Sequence, residues 1–274
     1  MPQRNHPARP RTRTLGLALV ALAALLLGVS AALAGVEAAQ LGSYELLAQT
    51  AAGTVTGTVT DTDATATAAA ADADAAAGSD AATESQSDWD ALVQENAETV
   101  AWLCVAGTPI DYPVVQPGDG TAASYYLHHD FWGAYSALGC PYLDARAQAA
   151  GSHLLVYGHH LSSSDAMFTS IFRAYQQEIF DAVGAATWTT PDGATVFEPV
   201  FALSVDQGYA AIQTFDFASE EALRAWLLAL AGDATASAAD WEERCAGATR
   251  VLTLVTCSST HAGQRARTLL VFVA

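Results

Sequence analysis

A cysteine, a histidine and an arginine stand where a thiol could be made reactive. Cys257 ends the apolar run Val251 to Thr256, and Arg267 opens a second run, Thr268 to Val273, with a polar segment between them. If the two runs are the strands of a hairpin, Arg267 lies beside Cys257 at the rim of a sheet. A guanidinium there favours thiolate over thiol and offers two donors to a developing oxyanion. Taken alone, the segment also fits an ordinary hairpin with a buried cysteine and a solvated arginine. Upstream, Leu154-Leu155-Val156-Tyr157-Gly158-His159-His160 reads as an apolar strand that runs into a glycine and two histidines, again at a rim. A thiol nucleophile needs such an imidazole, which can protonate a leaving amine and later deprotonate an incoming one. His6, His128, His129, His153 and His261 read as polar loop residues, and His160 as a neighbour of His159.

These residues need a rigid frame, and the pattern of the chain supplies a mostly β one. Pro113 to Val115, His153 to Tyr157, Thr195 to Val205, Gln213 to Phe217, Val251 to Thr256 and Thr268 to Val273 are short apolar runs separated by Gly, Pro and Asp turns. They predict an antiparallel barrel or sandwich. Asp88 to Trp102 reads as a helix, with Trp89, Leu92, Val93 and Val100 on one face and Ser87 or Asp88 as its cap. A second helix is expected over Glu220 to Ala231, capped by Ser219, stopped by Gly232 and carrying two acids in its first turn.

The remainder of the chain sets the context. Residues 1–14 carry Arg4, Arg9, Arg11 and Arg13 and no acid, and residues 15–36 are an uncharged apolar run of about 22 residues, long enough to cross a bilayer with the arginines inside. Ala32-Leu33-Ala34 also offers a signal-cleavage pattern, but the run is longer than a usual signal core, so an uncleaved anchor is expected. Residues 37–87, rich in Ala, Thr and Asp, read as a disordered linker, and residues 88–274 as the folded head. The chain has 11 basic against 29 acidic residues and a formal charge of −18. That argues against a nucleic-acid partner. Cys104, Cys140, Cys245 and Cys257 would permit two disulfides in an exported protein, but their spacing matches no disulfide scaffold and contains no CxxC pair.

Taken in order, several motifs resemble the class B sortases. They are Gly107-Thr108-Pro109-Ile110-Asp111-Tyr112-Pro113-Val114-Val115-Gln116, then Tyr125-Tyr126-Leu127-His128-His129-Asp130-Phe131, then Tyr157-Gly158-His159. Met167-Phe168 before Tyr175 follows, and last comes Thr253-Leu254-Val255-Thr256-Cys257 with Arg267 downstream. The resemblance covers Asp88 to Ala274. It implies an eight-stranded β-barrel with an N-terminal helix and a helical insertion before the cysteine strand. It also implies a cell-surface cysteine transpeptidase in which Cys257 is the nucleophile, His159 the acid and base, and Arg267 the oxyanion or substrate contact. Tyr157 and Thr256 are flanking candidates for substrate binding. The implied substrates are surface proteins or pilins bearing a C-terminal sorting signal, cleaved at a threonine carbonyl through a thioester. The implied acceptor is an amine of a cell-wall precursor or a pilin lysine, with hydrolysis as a side reaction. The chemistry requires no metal or organic cofactor. Two positions depart from the family's usual pattern: His160 stands where Asn is common, and Val255 where Ser is common. A cell-wall cysteine peptidase and a non-enzymatic surface binding protein are the alternatives. A papain-like fold is disfavoured because His159 precedes Cys257.

Overall fold

The computed structural model describes residues 11–55, 89–258 and 265–274. The expected N-terminal stretch 1–10, linker residues 56–87 and most of the polar loop between Cys257 and Arg267, including His261, lie outside the described residues.

Two units make up the chain, Met1–Ser43 and Tyr44–Ala274. Helix α1 (Arg11–Val55) begins in the first and ends in the second. Within it, Leu19–Gln49 is long and apolar enough to cross a membrane. The helix thus continues through residues 37–55, where the sequence suggests the start of a disordered linker, because the Ala, Leu and Gln residues there are strong helix formers.

The second unit is built on one sheet. A short helix α2 (89–95) leads into β1 (Thr99–Val105) and β2 (Asp111–Val115). The short β3 (Tyr142–Leu143), β4 (His153–Tyr157), the one-turn α3 (Gln177–Phe180), β5 (Ala186–Thr190) and the long β6 (Gly193–Asp206) follow. Helix α4 (Glu220–Ala231), β7 (Ala236–Ser237) and helix α5 (Trp241–Gly247) form the insertion before β8 (Val251–Cys257), and β9 (Ala266–Val273) closes the fold. The strand order is β5-β1-β2-β3-β4-β8-β9-β6-β7, and β5 also pairs with β6. That last pairing joins the ends of the row, so eight strands form a closed barrel and β7 hangs on β6. Closure removes the unpaired edges an open sheet would expose.

The helix expected over Asp88 to Trp102 is shorter than its pattern suggests. Asn96 ends it by turning its side-chain oxygen onto the Glu98 backbone N–H at 2.8 Å, a local bond that competes with helical continuation. Val100 and Trp102 then belong to β1, whose β-branched and aromatic residues pair with both β2 and β5. Gln213 to Phe217, expected as a strand, is irregular chain beyond a 3-10 turn at Ala210–Ile212. Its Phe215 instead packs on His153, ring to ring at 5.8 Å. Helix α4 has the expected bounds, and Ser219 Oγ accepts the Ala222 N–H at 3.3 Å.

Helix α4 lies on one face of the sheet. Leu223, Leu227 and Leu230, each nearly or fully buried, meet Leu155 of β4, Val251 and Val255 of β8, and Leu269, Val271 and Val273 of β9. Burial of each such side chain contributes roughly 1.5–3 kcal/mol, so this contact fixes which face of β4, β8 and β9 is covered. Because side chains alternate along a strand, residues 155, 157 and 159, residues 255 and 257, and residues 267 and 269 all emerge on that face. All four cysteines carry free thiols, with Cys104 exposed, Cys140 and Cys245 buried and Cys257 half-buried.

Candidate active site

β4, β8 and β9 are neighbours in that order. β8 and β9 are antiparallel, and Cys257 is the direct partner of Arg267. β4 and β8 are parallel, with His153 opposite Val251 and Tyr157 opposite Val255. The Gly158 N–H, donating to the Val255 carbonyl at 3.0 Å, closes the Tyr157–Val255 pair at the end of β4. Extended two residues beyond β4, this register would set His159 opposite Cys257. The three residues therefore form a row across one rim of the barrel, on the face whose lower part α4 covers.

Directly beneath runs a second row. Tyr142 of β3 pairs with Tyr157, Tyr157 with Val255, and Val255 with Leu269. The two tyrosine rings stack at 5.3 Å. Tyr157, Val255, Leu269 and Arg267 also line a small cleft whose other wall includes Gln207, Tyr209 and Ile212. The upper row carries the three candidate residues, and the lower row makes an aromatic and aliphatic floor.

His159 and Arg267 each have their own support. His159 Nε2 lies 2.5 Å from the Leu127 carbonyl. A carbonyl only accepts, so Nε2 carries the proton and Nδ1 is the nitrogen left for proton transfer. Burial pushes the His159 pKa down against the opposing effect of the Leu127 bond, and His128, with its ring 6.2 Å away, pushes it further. That shift favours the neutral ring. Its backbone is held by the Phe168 N–H, which donates to the His159 carbonyl at 2.9 Å. Phe168 also occupies the space beside Gly158: a Cβ on Gly158 would lie 2.5 Å from its ring, so only glycine fits there. Arg267 donates to the Ala266 carbonyl at 3.0 Å and to Gln207 Oε1 at 3.3 Å, which orients the guanidinium at the rim.

The two flanking candidates differ in placement. Tyr157 lies on the site face, but its hydroxyl donates to Asp144 Oδ2 at 3.1 Å. Burial would raise the Asp144 pKa, yet hydrogen bonds and charge from Arg146, together with the Tyr157 bond, outweigh it and hold the carboxyl below its usual range. Thr256 is buried on the opposite face with Leu252 and Leu254, and its hydroxyl has no partner among the described residues. His160 stacks on Phe172 at 4.1 Å, and His153 is fully buried in β4 rather than set in a polar loop.

No family model matches the chain. It is 30% identical over 126 residues to sortase B of Listeria monocytogenes, a match that takes in 43% of this chain and 49% of the relative. The chain thus spans about half the length of that curated relative. Sortase B of Clostridium perfringens superposes with a TM-score of 0.58 at 25% identity, covering 67% of this chain and 97% of that one. The Staphylococcus aureus sortase B–substrate complex does so with a TM-score of 0.65 at 18% identity, covering 86% and 96%. In sequence and in fold the chain is similar to class B sortases.

Several residues around His159, Cys257 and Arg267 carry no signal in the linear pattern. Leu127 acts through its carbonyl, which any residue would supply. Gln207 reaches Arg267 from the end of β6. Tyr142 arrives on a strand of two residues, too short for period-two alternation to register. Its pKa is pushed up to about 12, chiefly by burial and by Asp144, while Arg267 lowers it and Cys257 raises it to a smaller extent.

Proposed function

We propose that this chain is a membrane-anchored cysteine transpeptidase in which Cys257 is the nucleophile, His159 the proton shuttle and Arg267 the oxyanion donor. The observation that carries the reading is the single row of His159, Cys257 and Arg267 across the adjacent strands β4, β8 and β9. Similarity to class B sortases in sequence and fold supports it.

In the first half-reaction Cys257 Sγ attacks the carbonyl carbon of a threonine in a C-terminal sorting peptide. The thiol proton passes to His159 Nδ1, which is free to take it because the ring is neutral and Nε2 is bonded to Leu127. Charge develops on the carbonyl oxygen, and the Arg267 guanidinium stabilises it. The C–N bond then breaks, the imidazolium gives its proton to the departing amine, and a thioester remains. In the second half an amine attacks the thioester, His159 takes the amine proton, the C–S bond breaks, and the resulting thiolate is reprotonated from His159. The proposed donors are surface proteins or pilins held in the membrane. The proposed acceptors are an amine of a cell-wall precursor or a pilin lysine, and water in their place gives hydrolysis. No step requires a metal or organic cofactor. The apolar span in α1 would hold the catalytic unit at the outer face of the membrane, where both substrates are found.

The test is intact-mass analysis of the full chain in detergent with threonine-containing sorting peptides and a glycine peptide. Expected are a covalent adduct on wild type, none on Cys257→Ala, and an amine-ligated product. Hydrolysed peptide without ligation would identify a peptidase, and no adduct from folded, reduced protein would remove the assigned roles.

A further inference from the structure

The geometry points to Tyr44, in the C-terminal part of α1, as a positioning residue for His159. The inference rests on the proposed role of His159 as proton shuttle. Tyr44 is 2% exposed, although it falls within the apolar segment Leu19–Gln49. It opens the compact unit Tyr44–Ala274, and its ring is set edge-on to Tyr112 at 5.6 Å and beside Trp132 at 5.3 Å. Its hydroxyl donates to the Gly139 carbonyl at 3.0 Å and accepts the Phe131 N–H at 2.9 Å. One side chain thereby ties together two ends of the segment between residues 131 and 139.

That segment is the wall against which the His159 ring rests. Gly139 has φ +65°, and a Cβ there would lie 3.0 Å from His159 Cδ2 and 3.1 Å from the Leu127 oxygen. The same Leu127 oxygen accepts the His159 Nε2 proton. The Gly139 carbonyl that Tyr44 holds is thus one residue from both the ring edge and the hydrogen bond that selects its tautomer. A second route reaches the backbone of His159. Tyr112, packed on Tyr44, accepts the Met167 N–H at 3.2 Å, Met167 has φ +55°, and the next residue, Phe168, donates to the His159 carbonyl. Tyr44 touches neither Cys257 nor a reacting atom, so its influence on chemistry runs through these contacts. A catalytic unit cut at residue 88 would lack it.

Tyr44→Phe in the full chain, held in micelles, keeps the ring and removes the hydroxyl. His128, the titratable group whose ring lies 6.2 Å from His159, is not altered. NMR of histidine labelled in the ring is expected to show the His159 Nε2 proton exchanging with solvent about 10-fold faster. The midpoint of its titration should also move toward the ordinary histidine value as the wall loosens. Turnover is expected to fall about 10-fold with KM for the peptide within twofold, the pattern of a misaligned proton donor. Tyr44→Leu, which also removes the aromatic packing, should enlarge both effects. The NMR signature does not depend on finding a substrate, so it separates this inference from the proposed activity. Unchanged exchange and titration of His159 in folded Tyr44→Phe would overturn the positioning role, even if the melting temperature falls.

Discussion

Cys257 and Arg267 are direct cross-strand partners at the open end of β8 and β9, and the guanidinium is steadied by the Ala266 carbonyl and Gln207. A directly opposed pair in an antiparallel ladder has its side chains within about 5.5 Å at Cβ. If Arg267 is the proposed oxyanion donor, its guanidinium is in place before any peptide binds, which is the condition under which such a contact accelerates a reaction. Five donors in a rigid fork distinguish arginine from lysine at such a position.

Arg267→Lys keeps the charge and loses the fork. It is expected to lower the rate of thioester formation by roughly 10²–10³, the usual effect of deleting one oxyanion donor, while the melting temperature moves little. Quenched-flow mass spectrometry of the acyl-enzyme reads this directly. A loss below tenfold would assign Arg267 to peptide binding instead.

Stability should decline on acidification because of His153. This ring is fully buried; Nδ1 donates to the Thr214 carbonyl at 2.7 Å and Nε2 accepts from Thr253 Oγ1 at 3.0 Å. Burial pushes its pKa down to about 4, although the Thr214 bond and the Asp144 charge pull the other way. The folded value is depressed, so the stability is fully present above about pH 6.5. It is lost as pH falls toward 4, while the unfolded chain binds a proton that the native state refuses. The loss is ~1.4 kcal/mol per pH unit inside that window. Urea unfolding between pH 7.5 and 4.5 should show this slope, and His153→Gln should flatten it by about one proton's worth.

Gly158→Ala would force a Cβ to within 2.5 Å of the Phe168 ring. The expected cost is about 1–3 kcal/mol of stability, as for other overpacked sites, with reduced turnover because His159 follows immediately. Adding Phe168→Leu should recover part of the stability, which thermal melts of the single and double variants will show. Additive losses would mean the contact is not the cause.

Tyr157 and Thr256 provide a paired test of what flanks the site. Tyr157→Phe breaks the bond to Asp144 while leaving the stacked ring in the floor, so a loss of about 1 kcal/mol is expected with little change in KM. Thr256→Val replaces a buried hydroxyl that lacks a partner among the described residues, so it should be neutral or stabilising, with unchanged turnover. A marked rise in KM for either variant would place that side chain against the peptide.

By itself the sequence determined the parts whose signals are local. The apolar runs of β4, β8 and β9 and the capped α4 are legible because alternation, turn residues and a serine cap act within a few residues of one another. The places of His159, Cys257 and Arg267 at or beside strand ends are legible for the same reason. Tertiary structure decided what depends on pairing. Asn96 cuts the first helix short, and β1 forms because two distant strands bond to both its edges. β4 lies parallel to β8 although the chain between them is long, and that register, set by backbone hydrogen bonds and by the face α4 buries, brings His159 to Cys257. Tyr44 looks like part of an apolar helix, and only the carbonyl of Gly139 and the N–H of Phe131 give its hydroxyl a place in the domain. Side-chain pattern is written along the chain, whereas backbone donors and acceptors are the same at almost every residue and acquire partners only when the chain has folded.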